Sequence, residues 1–397
     1  MKAIVHNLLY KLIAVVLAVS NLFGASTAWF QADQSNWKTN DTFVFVHGLS
    51  GWGSYDSVYK LMPYWGMFGG DLMKYLNDKG FHAVCASVSP RGSAWDRACE
   101  LYAELSGTRV DYGKAHSERC GHARFGEDYT GRALIQSFGE NDKIHLLGHS
   151  FGGATVRLFA SMMETGSAEE QAATPANELS DYFKGGKGSW IRSLTSLAAP
   201  HNGTTAYCDD EAAELVEEES KTTNPIEAGL EKLMGSFNSR KSNDRILEDY
   251  ADYDMYIDNA LALNKTIITY PGTYYFSFAC SCTEQQPDGT WTPINSKMEI
   301  LFRSSSRLLG KFTGATKGGY VIDESWLEND GLVNTVSAKA PFGAPQQTFD
   351  ANNVPKGVWN IMPIYYGDHM SLEGGLFHVN DIKDFYVEHL SMINSLN

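Results

Sequence analysis

Two groups of residues in this sequence have the types and spacing that acyl transfer requires. The first is a serine between two glycines, Gly148-His149-Ser150-Phe151-Gly152. The apolar run before it predicts a buried strand, and the stretch after it predicts a helix. A tight turn between a strand and a helix holds its central residue clear of the backbone, and flanking glycines relieve the crowding. The pattern predicts a nucleophilic serine; the alternative is an ordinary glycine-rich turn with a buried serine.

The second group follows another apolar run. Residues 42–46 predict a strand, and His47-Gly48-Leu49 comes directly after it. Gly48 would let the chain turn so that the Leu49 N–H points at the serine, while the Phe151 N–H begins the helix after it. Two backbone donors of this kind stabilise the oxyanion of a tetrahedral intermediate. We therefore predict an oxyanion hole formed by Leu49 and Phe151.

A serine hydroxyl needs a base, and a histidine can remove its proton near neutral pH. An acid on the far ring nitrogen then fixes the tautomer of that histidine. Asp330 and His369 each fall in a loop near the end of a predicted strand, so that the chain order is Ser150, Asp330, His369. We predict these three residues as a catalytic triad. The rivals are His145, His149, His201 and His378 for the base, of which His201 is the strongest, and Asp368 for the acid.

The elements that must position these residues alternate between strand and helix patterns. Such an alternation predicts an α/β fold, with a mostly parallel central sheet and helices on both faces. Because parallel strands end at the same edge of a sheet, loops after different strands can meet there. The predicted strands lie at 42–46, 82–88, 144–147, 190–197, 273–279 and 358–365.

Two insertions interrupt the alternation. Residues 89–131 are polar with little apolar periodicity. An ordered structure there therefore needs some stabilising interaction other than a hydrophobic core. Asp96, His116 and His122 are oxygen and nitrogen ligands that Zn²⁺ accepts, although two histidines six residues apart are more often unrelated surface residues. Residues 205–263 hold an acidic stretch and an amphipathic helix pattern. That helix is either a lid over the serine or a helix packed permanently on the core.

The composition and the first residues predict where the protein acts. The chain has 397 residues and a formal net charge of −15, and so acidic a surface argues against nucleic acid as a partner. Residues 1–27 combine a basic start, an apolar middle and small residues, as secretory signal peptides do, and the apolar run is short for a membrane span. We predict a secreted protein with one domain at 28–397 and no membrane span after cleavage.

These motifs together resemble the secreted lipases of thermophilic bacilli and staphylococci. The resemblance covers most of residues 40–395. It implies an α/β-hydrolase fold, hydrolysis of triacylglycerols or related esters, the triad Ser150, Asp330 and His369, and oxyanion donors at Leu49 and Phe151. The segments that carry it are FVHGLSGWG (45–53), WDRACE (95–100), VDYG (110–113), GHARFG (121–126), APHNGTT (199–205) and NDGLVN (329–334).

The resemblance also implies metal sites. A structural zinc would be held by Asp96, His116 and His122, and by an aspartate after the lid. The match breaks down near that fourth ligand, where Glu231 is the stand-in. The family's calcium site uses a glutamate two residues after the catalytic histidine and an aspartate further on. Those positions are Ser371 and Leu376 here, so the resemblance gives calcium little support.

The resulting hypothesis is a secreted triacylglycerol lipase that acts on lipid or ester substrates, including those at a lipid–water interface. A carboxylesterase acting on soluble esters and a phospholipase are the alternatives within the same fold. A non-catalytic lipid carrier is the alternative of another class, and such a carrier has no need of a triad.

Overall fold

The computed structural model describes residues 33–207, 247–375, 377–378 and 381–397. The predicted signal peptide at 1–27, most of the predicted lid region with Glu231, Cys208, and Leu376 lie outside these residues. The five described cysteines are buried thiols, and none of them forms a disulfide. Among the described residues, no helix is both long enough and apolar enough to cross a membrane.

The described chain alternates between strands and helices along its length. The strands are β1 (Thr42–Val46), β2 (Ala83–Ala86), β3 (Arg109–Asp111), β4 (Phe125–Asp128), β5 (Ile144–His149), β6 (Ile191–Leu197), β7 (Tyr274–Phe278), β8 (Thr283–Gln285), β9 (Trp291–Pro293), β10 (Gly314–Ala315), β11 (Val321–Ile322), β12 (Gln346–Thr348) and β13 (Trp359–Ile361). The α-helices are α1 (Leu72–Asp78), α2 (Ala94–Ser106), α3 (Lys114–Cys120), α4 (Phe151–Thr165), α5 (Ala168–Ala173), α6 (Asp181–Lys184), α7 (Ala251–Met255), α8 (Ile257–Asn264), α9 (Arg303–Leu309), α10 (Thr335–Lys339) and α11 (Asp381–Ser395).

A sheet of seven described strands lies at the centre, in the order β12-β13-β7-β6-β5-β1-β2. Every neighbouring pair in it is parallel. The order reverses between β1 and β5, because β2 lies on one side of β1 and the later strands lie on the other. In such sheets, ligands bind outside the carboxyl ends of the strands at the reversal point. The predicted α/β fold with a parallel sheet is confirmed, and the loops after β1 and β5 begin at this point.

Helices cover both faces of the sheet, as predicted. Side chains of a strand alternate between the two faces. Phe43 and Phe45 of β1 pack with residues of α1 and α11 in one buried cluster. Val44 and Val46 pack with residues of α2 and α4 in the other. All four side chains are fully buried, so that β1 lies inside the molecule with a helical layer on each side.

The insertion at 89–131 is more deeply buried than its polar sequence indicates. Its helix α2 buries Arg97, Glu100 and Glu104 along with its apolar residues. These carboxylates accept hydrogen bonds, Glu100 from the Ser89 N–H at 2.6 Å and Glu104 from the Ser87 N–H at 3.0 Å. Buried polar groups persist in proteins when they are hydrogen-bonded in this way. The apolar periodicity is weak because hydrogen-bonded polar groups take part of the helix's buried face.

The first turn of α4 passes very close to the end of β1. A Cβ added at Gly152 would lie 2.4 Å from the Val46 carbonyl oxygen and 2.6 Å from that of His47. We expect Gly152→Ala to lower the free energy of unfolding by about 1–3 kcal/mol, because two backbone segments would have to separate. In Gly139→Ala the new Cβ would meet nothing within 4 Å, so this variant is the control. Thermal denaturation measures both, and equal midpoints for the two variants would contradict a rigid contact at Gly152.

Candidate active site

Ser150 lies at the turn between β5 and α4 in a backbone conformation that few residues other than glycine adopt. Its φ is 54° and its ψ is −129°. The turn leaves no room for side chains at the flanking glycines, since a Cβ at Gly148 would lie 2.4 Å from the Gly152 carbonyl oxygen. The Ser150 N–H donates to the Leu197 carbonyl at 2.8 Å, which fastens the turn to β6. Strained residues of this kind persist only where the surrounding structure holds them.

The structure brings the three predicted triad residues together. His369 Nε2 lies 2.8 Å from Ser150 Oγ, and His369 Nδ1 lies 2.8 Å from Asp330 Oδ2. The Asp330 carboxylate accepts the Nδ1–H, which leaves the Nε2 lone pair to accept the serine proton. Ser150 is 8% exposed, and the other two residues are more deeply buried. This is the geometry of a nucleophile with its general base.

The loop of Asp330 holds both its carboxylate and the histidine. Asp330 Oδ1 accepts hydrogen bonds from the N–H groups of Leu332 at 3.0 Å and Val333 at 2.7 Å. The Asp330 carbonyl accepts the His369 N–H at 2.9 Å. The acid is therefore oriented by its own turn, and a backbone bond fixes the distance between acid and base.

Two opposing effects set the pKa of His369. Burial of the ring disfavours its charged form, but the charge of Asp330 and its hydrogen bond favour that form. The carboxylates of Glu373 and Asp368 act in the same direction as Asp330. The net result raises the pKa of His369 above its usual value, which stabilises the imidazolium that a general base becomes.

The alternative candidates for the base and the acid form hydrogen bonds to other residues. His201 Nε2 lies 2.8 Å from Ser196 Oγ, and burial lowers the pKa of His201 well below its usual value. The Asp368 carboxylate accepts hydrogen bonds from the Glu299 N–H at 2.7 Å and from Ser371 Oγ at 3.0 Å. The other rival histidines each contact a hydroxyl: His145 that of Ser193, His149 that of Tyr64, and His378 that of Tyr365.

The loop after β1 lies against the serine, as the predicted oxyanion hole requires. A Cβ at Gly48 would lie 2.7 Å from Ser150 Cβ. The Phe151 N–H is at the first position of α4, where no preceding helical turn can accept it. The fully buried Arg97 donates to the carbonyls of His47 and Gly48, and its Cζ lies 5.1 Å from the centre of the Phe151 ring. Arg97 thus contacts the loop that carries Leu49 and the side chain of Phe151, a role that the sequence patterns did not indicate.

A second set of buried residues, Tyr64, His149 and Glu373, links the loop after β1 to the loop of His369. Tyr64 Oη accepts the Gly48 N–H at 3.0 Å and lies 2.7 Å from His149 Nδ1. His149 Nε2–H donates to the His369 carbonyl at 2.8 Å, and Glu373 Oε2 lies 3.0 Å from His149 Nδ1. No motif marked Tyr64 or Glu373 in the sequence, since their role arises from contacts between distant segments.

A cluster of potential metal ligands lies at the insertion. His116 Nε2 lies 3.2 Å from Asp96 Oδ1 and 3.3 Å from Asp249 Oδ1. His122 Nε2 lies 3.5 Å from Asp249 Oδ2 and 3.9 Å from Asp96 Oδ1. Ligand atoms at about 2.0–2.1 Å around a tetrahedral zinc are about 3.3 Å apart, which is close to these separations. The three predicted ligands therefore meet, and Asp249 of the 3₁₀ helix Leu247–Asp249 joins them.

Asp249 occupies the place for which the sequence suggested Glu231, which lies outside the described residues. Cys120 is also near, with its Sγ 3.8 Å from His116 Nδ1. Both carboxylates face His116 Nε2 instead, and a histidine binds a metal ion through one nitrogen. Asp96 and Asp249 therefore form a more consistent ligand set with the histidines than Cys120 does.

The state of His122 also fits a metal ion. Its Nδ1 lies 2.9 Å from the Ala123 carbonyl, which can only accept, so that Nδ1 carries the proton. Nε2 then presents a lone pair toward the aspartates. This atom is buried and has no hydrogen-bond partner in the described part of the chain. A second bond that fixes the tautomer is common among metal-ligating histidines.

Comparisons with known proteins bear on this site. Lipase 1 of Staphylococcus aureus (strain MRSA252) is 30% identical over 372 residues, covering 86% of this chain and 52% of that protein. The chain thus spans about half the length of the curated relatives it matches. Among solved structures, EstA from Clostridium botulinum is 28% identical with a TM-score of 0.82, and the match covers 96% of this chain and 94% of that one.

Two further solved structures are similar over most of both chains. Staphylococcus hyicus lipase is 28% identical with a TM-score of 0.74, covering 91% of this chain and 98% of that one. Lipase 1 from Pelosinus fermentans is 32% identical with a TM-score of 0.71, and the match covers 89% of this chain and 98% of that one. A family described as "Lipase-like, C-terminal domain" matches residues 39–244 and 236–390. With its parallel sheet, its serine turn and these matches, the chain belongs to this lipase-like family.

Proposed function

We propose that this protein is a secreted lipase that hydrolyses carboxylic esters of acylglycerols through an acyl-enzyme on Ser150. The observation that carries the proposal is the continuous hydrogen-bonded chain from Ser150 Oγ through His369 to Asp330, with 2.8 Å at each step. Similarity to proteins named as lipases supports acylglycerol esters as the substrate class. A lipid carrier would gain nothing from a strained serine paired with an oriented base.

The proposed reaction has two halves. In acylation, Ser150 Oγ attacks the ester carbonyl carbon while His369 Nε2 accepts the serine proton, and Asp330 stabilises the imidazolium. The N–H groups of Leu49 and Phe151 bind the oxyanion. His369 then donates its proton to the leaving alcohol as the carbon–oxygen bond breaks. In deacylation, water attacks the acyl carbon, His369 takes the proton of the water, and the acid leaves as Ser150 Oγ regains a proton.

Buried groups around the triad would keep the oxyanion hole ready before substrate binds. Arg97 holds the carbonyls on the amino side of Leu49, and Tyr64 holds the Gly48 N–H. Burial lowers the pKa of Arg97 to about 10, so the guanidinium stays charged at neutral pH. Donors that are already oriented need no reorganisation during the reaction, which is the largest single contribution in many enzymes of this type.

We also propose that Asp96, His116, His122 and Asp249 hold a structural zinc. Four protein ligands close a tetrahedral site, so the ion would supply folding stability and no open position for substrate. It would fasten the insertion at 89–131 to the segment that follows the predicted lid. Calcium is not part of the proposal, since the Ser371 hydroxyl donates to Asp368 where the family has a ligand.

The domain organisation completes the proposal. Residues 1–27 would be removed as a signal peptide, and residues 28–397 would form one domain with insertions at 89–131 and 205–263. The second insertion ends within α8, and from its amphipathic helix pattern we propose that it contains a lid. A lid would give the enzyme a preference for substrates at a lipid–water interface.

Loss of the nucleophile should abolish hydrolysis. We expect Ser150→Ala to lower kcat by roughly 10⁶-fold, as loss of a triad nucleophile does elsewhere. The assay compares short and long p-nitrophenyl esters with an emulsified triglyceride, and Ser395→Ala is the control. Activity on long chains and emulsion indicates a lipase, whereas activity limited to short soluble esters indicates a carboxylesterase. If Ser150→Ala is as active as the wild type, the triad is wrong.

The pH dependence should report on Asp330. The base works only when neutral, so activity rises as the pH rises through the pKa of His369. Because Asp330 raises this pKa, we expect Asp330→Asn to move the acid limb of kcat/KM to lower pH. We expect the maximal rate to fall by roughly 10⁴-fold. Asp368→Asn is the control and should retain most activity; the reverse result would make Asp368 the catalytic acid.

The metal proposal is tested by metal content and stability. We expect about one zinc per chain by plasma mass spectrometry, and we expect Asp249→Asn to lower both the zinc content and the Tm. Glu231→Gln is the matched control because the sequence alone suggested that residue as the fourth ligand. Loss of zinc in Glu231→Gln with full zinc in Asp249→Asn would contradict the proposed ligand set.

A further inference from the structure

A cavity of about 750 Å³ opens beside α8, and none of the triad residues lines it. Its walls come from α4, from α8 and the loop after it, from residues 341–345 and from β7 and β13. None of its lining residues is acidic, and two of them, Arg157 and Lys265, are cationic. The cavity is therefore electropositive within a protein whose overall charge is −15.

Arg157 is the unusual residue of this cavity. It is 5% exposed, and a guanidinium carries five N–H donors. It donates to the Asn264 side-chain oxygen at 2.7 Å and to the His201 carbonyl at 3.4 Å. It forms no ion pair with any carboxylate in the described part of the chain. Buried charges in proteins are normally paired, so this guanidinium has both charge and donors left for a ligand.

A comparison with Arg97 shows how unusual this is. Both arginines are buried and both donate to backbone carbonyls of neighbouring loops. Arg97 lies near the carboxylate of Glu100, which favours its charged form. Among the described residues no carboxylate does the same for Arg157, where the Tyr275 hydroxyl favours the charged form. Burial lowers the pKa of Arg157 to about 9, so it remains charged at neutral pH, with no carboxylate counter-ion among the described residues.

The remaining walls are mostly apolar and aromatic. Trp359 packs against the guanidinium, with its ring centre 6.0 Å from Arg157 Cζ. Apolar lining also comes from Ile267, Phe342 and the exposed Ile268. Lys265, which also lines the cavity, is exposed. An apolar cavity with a few convergent polar groups is the usual form of a small-molecule site. Here two of the polar lining groups are cationic and none is acidic, so the matching ligand has one anionic end and an apolar body.

We propose that this cavity binds a monocarboxylic acid with an apolar chain or ring. The carboxylate pairs with the free donors of Arg157, whose planar fork matches it, and the apolar part lies along Trp359 and Phe342. An alkyl acid and an aromatic acid share this chemistry. The site is independent of the proposed function, although the acids that ester hydrolysis releases belong to the same class.

Calorimetric titration of the full Ser150→Ala protein tests the proposal without turnover. We expect octanoate or benzoate to bind with one site per chain, and the tighter of the two identifies an alkyl or an aromatic acid. Octanol should bind at least about tenfold more weakly, because it lacks the charge that Arg157 recognises. No binding of either acid at millimolar concentration would overturn the proposal. Octanol or inorganic phosphate binding as tightly as the acids would also overturn it.

Substitutions locate the bound acid. Ile268→Glu places a negative charge at an exposed position of the cavity and should weaken acid binding at least about tenfold. Ile300→Glu makes the same change at an exposed position outside the cavity and should leave binding unchanged. Arg157→Lys keeps the charge but loses the planar fork, and should also weaken acid binding while the Tm stays that of the parent protein. Equal binding in the Ile268→Glu and Ile300→Glu proteins would place the acid elsewhere and overturn the proposal.

Discussion

The strained turn at Ser150 is the constraint on which the rest of the site depends. A residue with φ of 54° between a strand and a helix is stable only because its surroundings leave no alternative. The Ser150 N–H is fastened to β6, and the first turn of α4 touches the end of β1 at Gly152. These contacts require parallel neighbours on both sides of β5. The serine is thus held between the two parallel neighbours of β5, at the point where the strand order reverses.

Buried polar contacts then join the loops that the sheet brings together. Arg97 and Tyr64 hold the loop after β1, while His149 reaches the carbonyl of His369. Polar groups of this kind are stable in the interior only when they are hydrogen-bonded, so each restricts the conformation of the loops it binds. Asp96 and Arg97 are consecutive in α2. One helix thus carries a residue of the candidate metal-ligand cluster and the residue that contacts both the loop before Leu49 and the Phe151 ring.

Local patterns were sufficient for the framework of the molecule. Apolar runs alternating with helical patterns predicted the parallel sheet, and the two glycines around Ser150 predicted its turn, because both signals arise within a few residues. The insertion at 89–131 was harder, since hydrogen-bonded Glu100 and Glu104 occupy part of the buried face of α2 and weaken the apolar period. The short edge strand β12 was also missed. It has three polar residues, of which one is partly buried, and so short a polar run shows no alternation of apolar and polar residues.

By itself, the sequence determined the fold class, and it predicted the serine turn, Asp330 and His369 from short motifs and chain order. The prediction of Asp96, His116 and His122 as metal ligands rested on the resemblance to a family. Only the tertiary structure decided which distant groups meet. Asp249 joins the candidate metal-ligand cluster from a segment 127 residues after His122 in the numbering, and Glu373 contacts His149 from a segment more than 200 residues later. Among the described residues Arg157 has no carboxylate partner, because the elements packed around it, α4, α8 and β13, place an amide and an aromatic ring there. Such pairings depend on the packing of whole elements, and no local pattern of residue types encodes them.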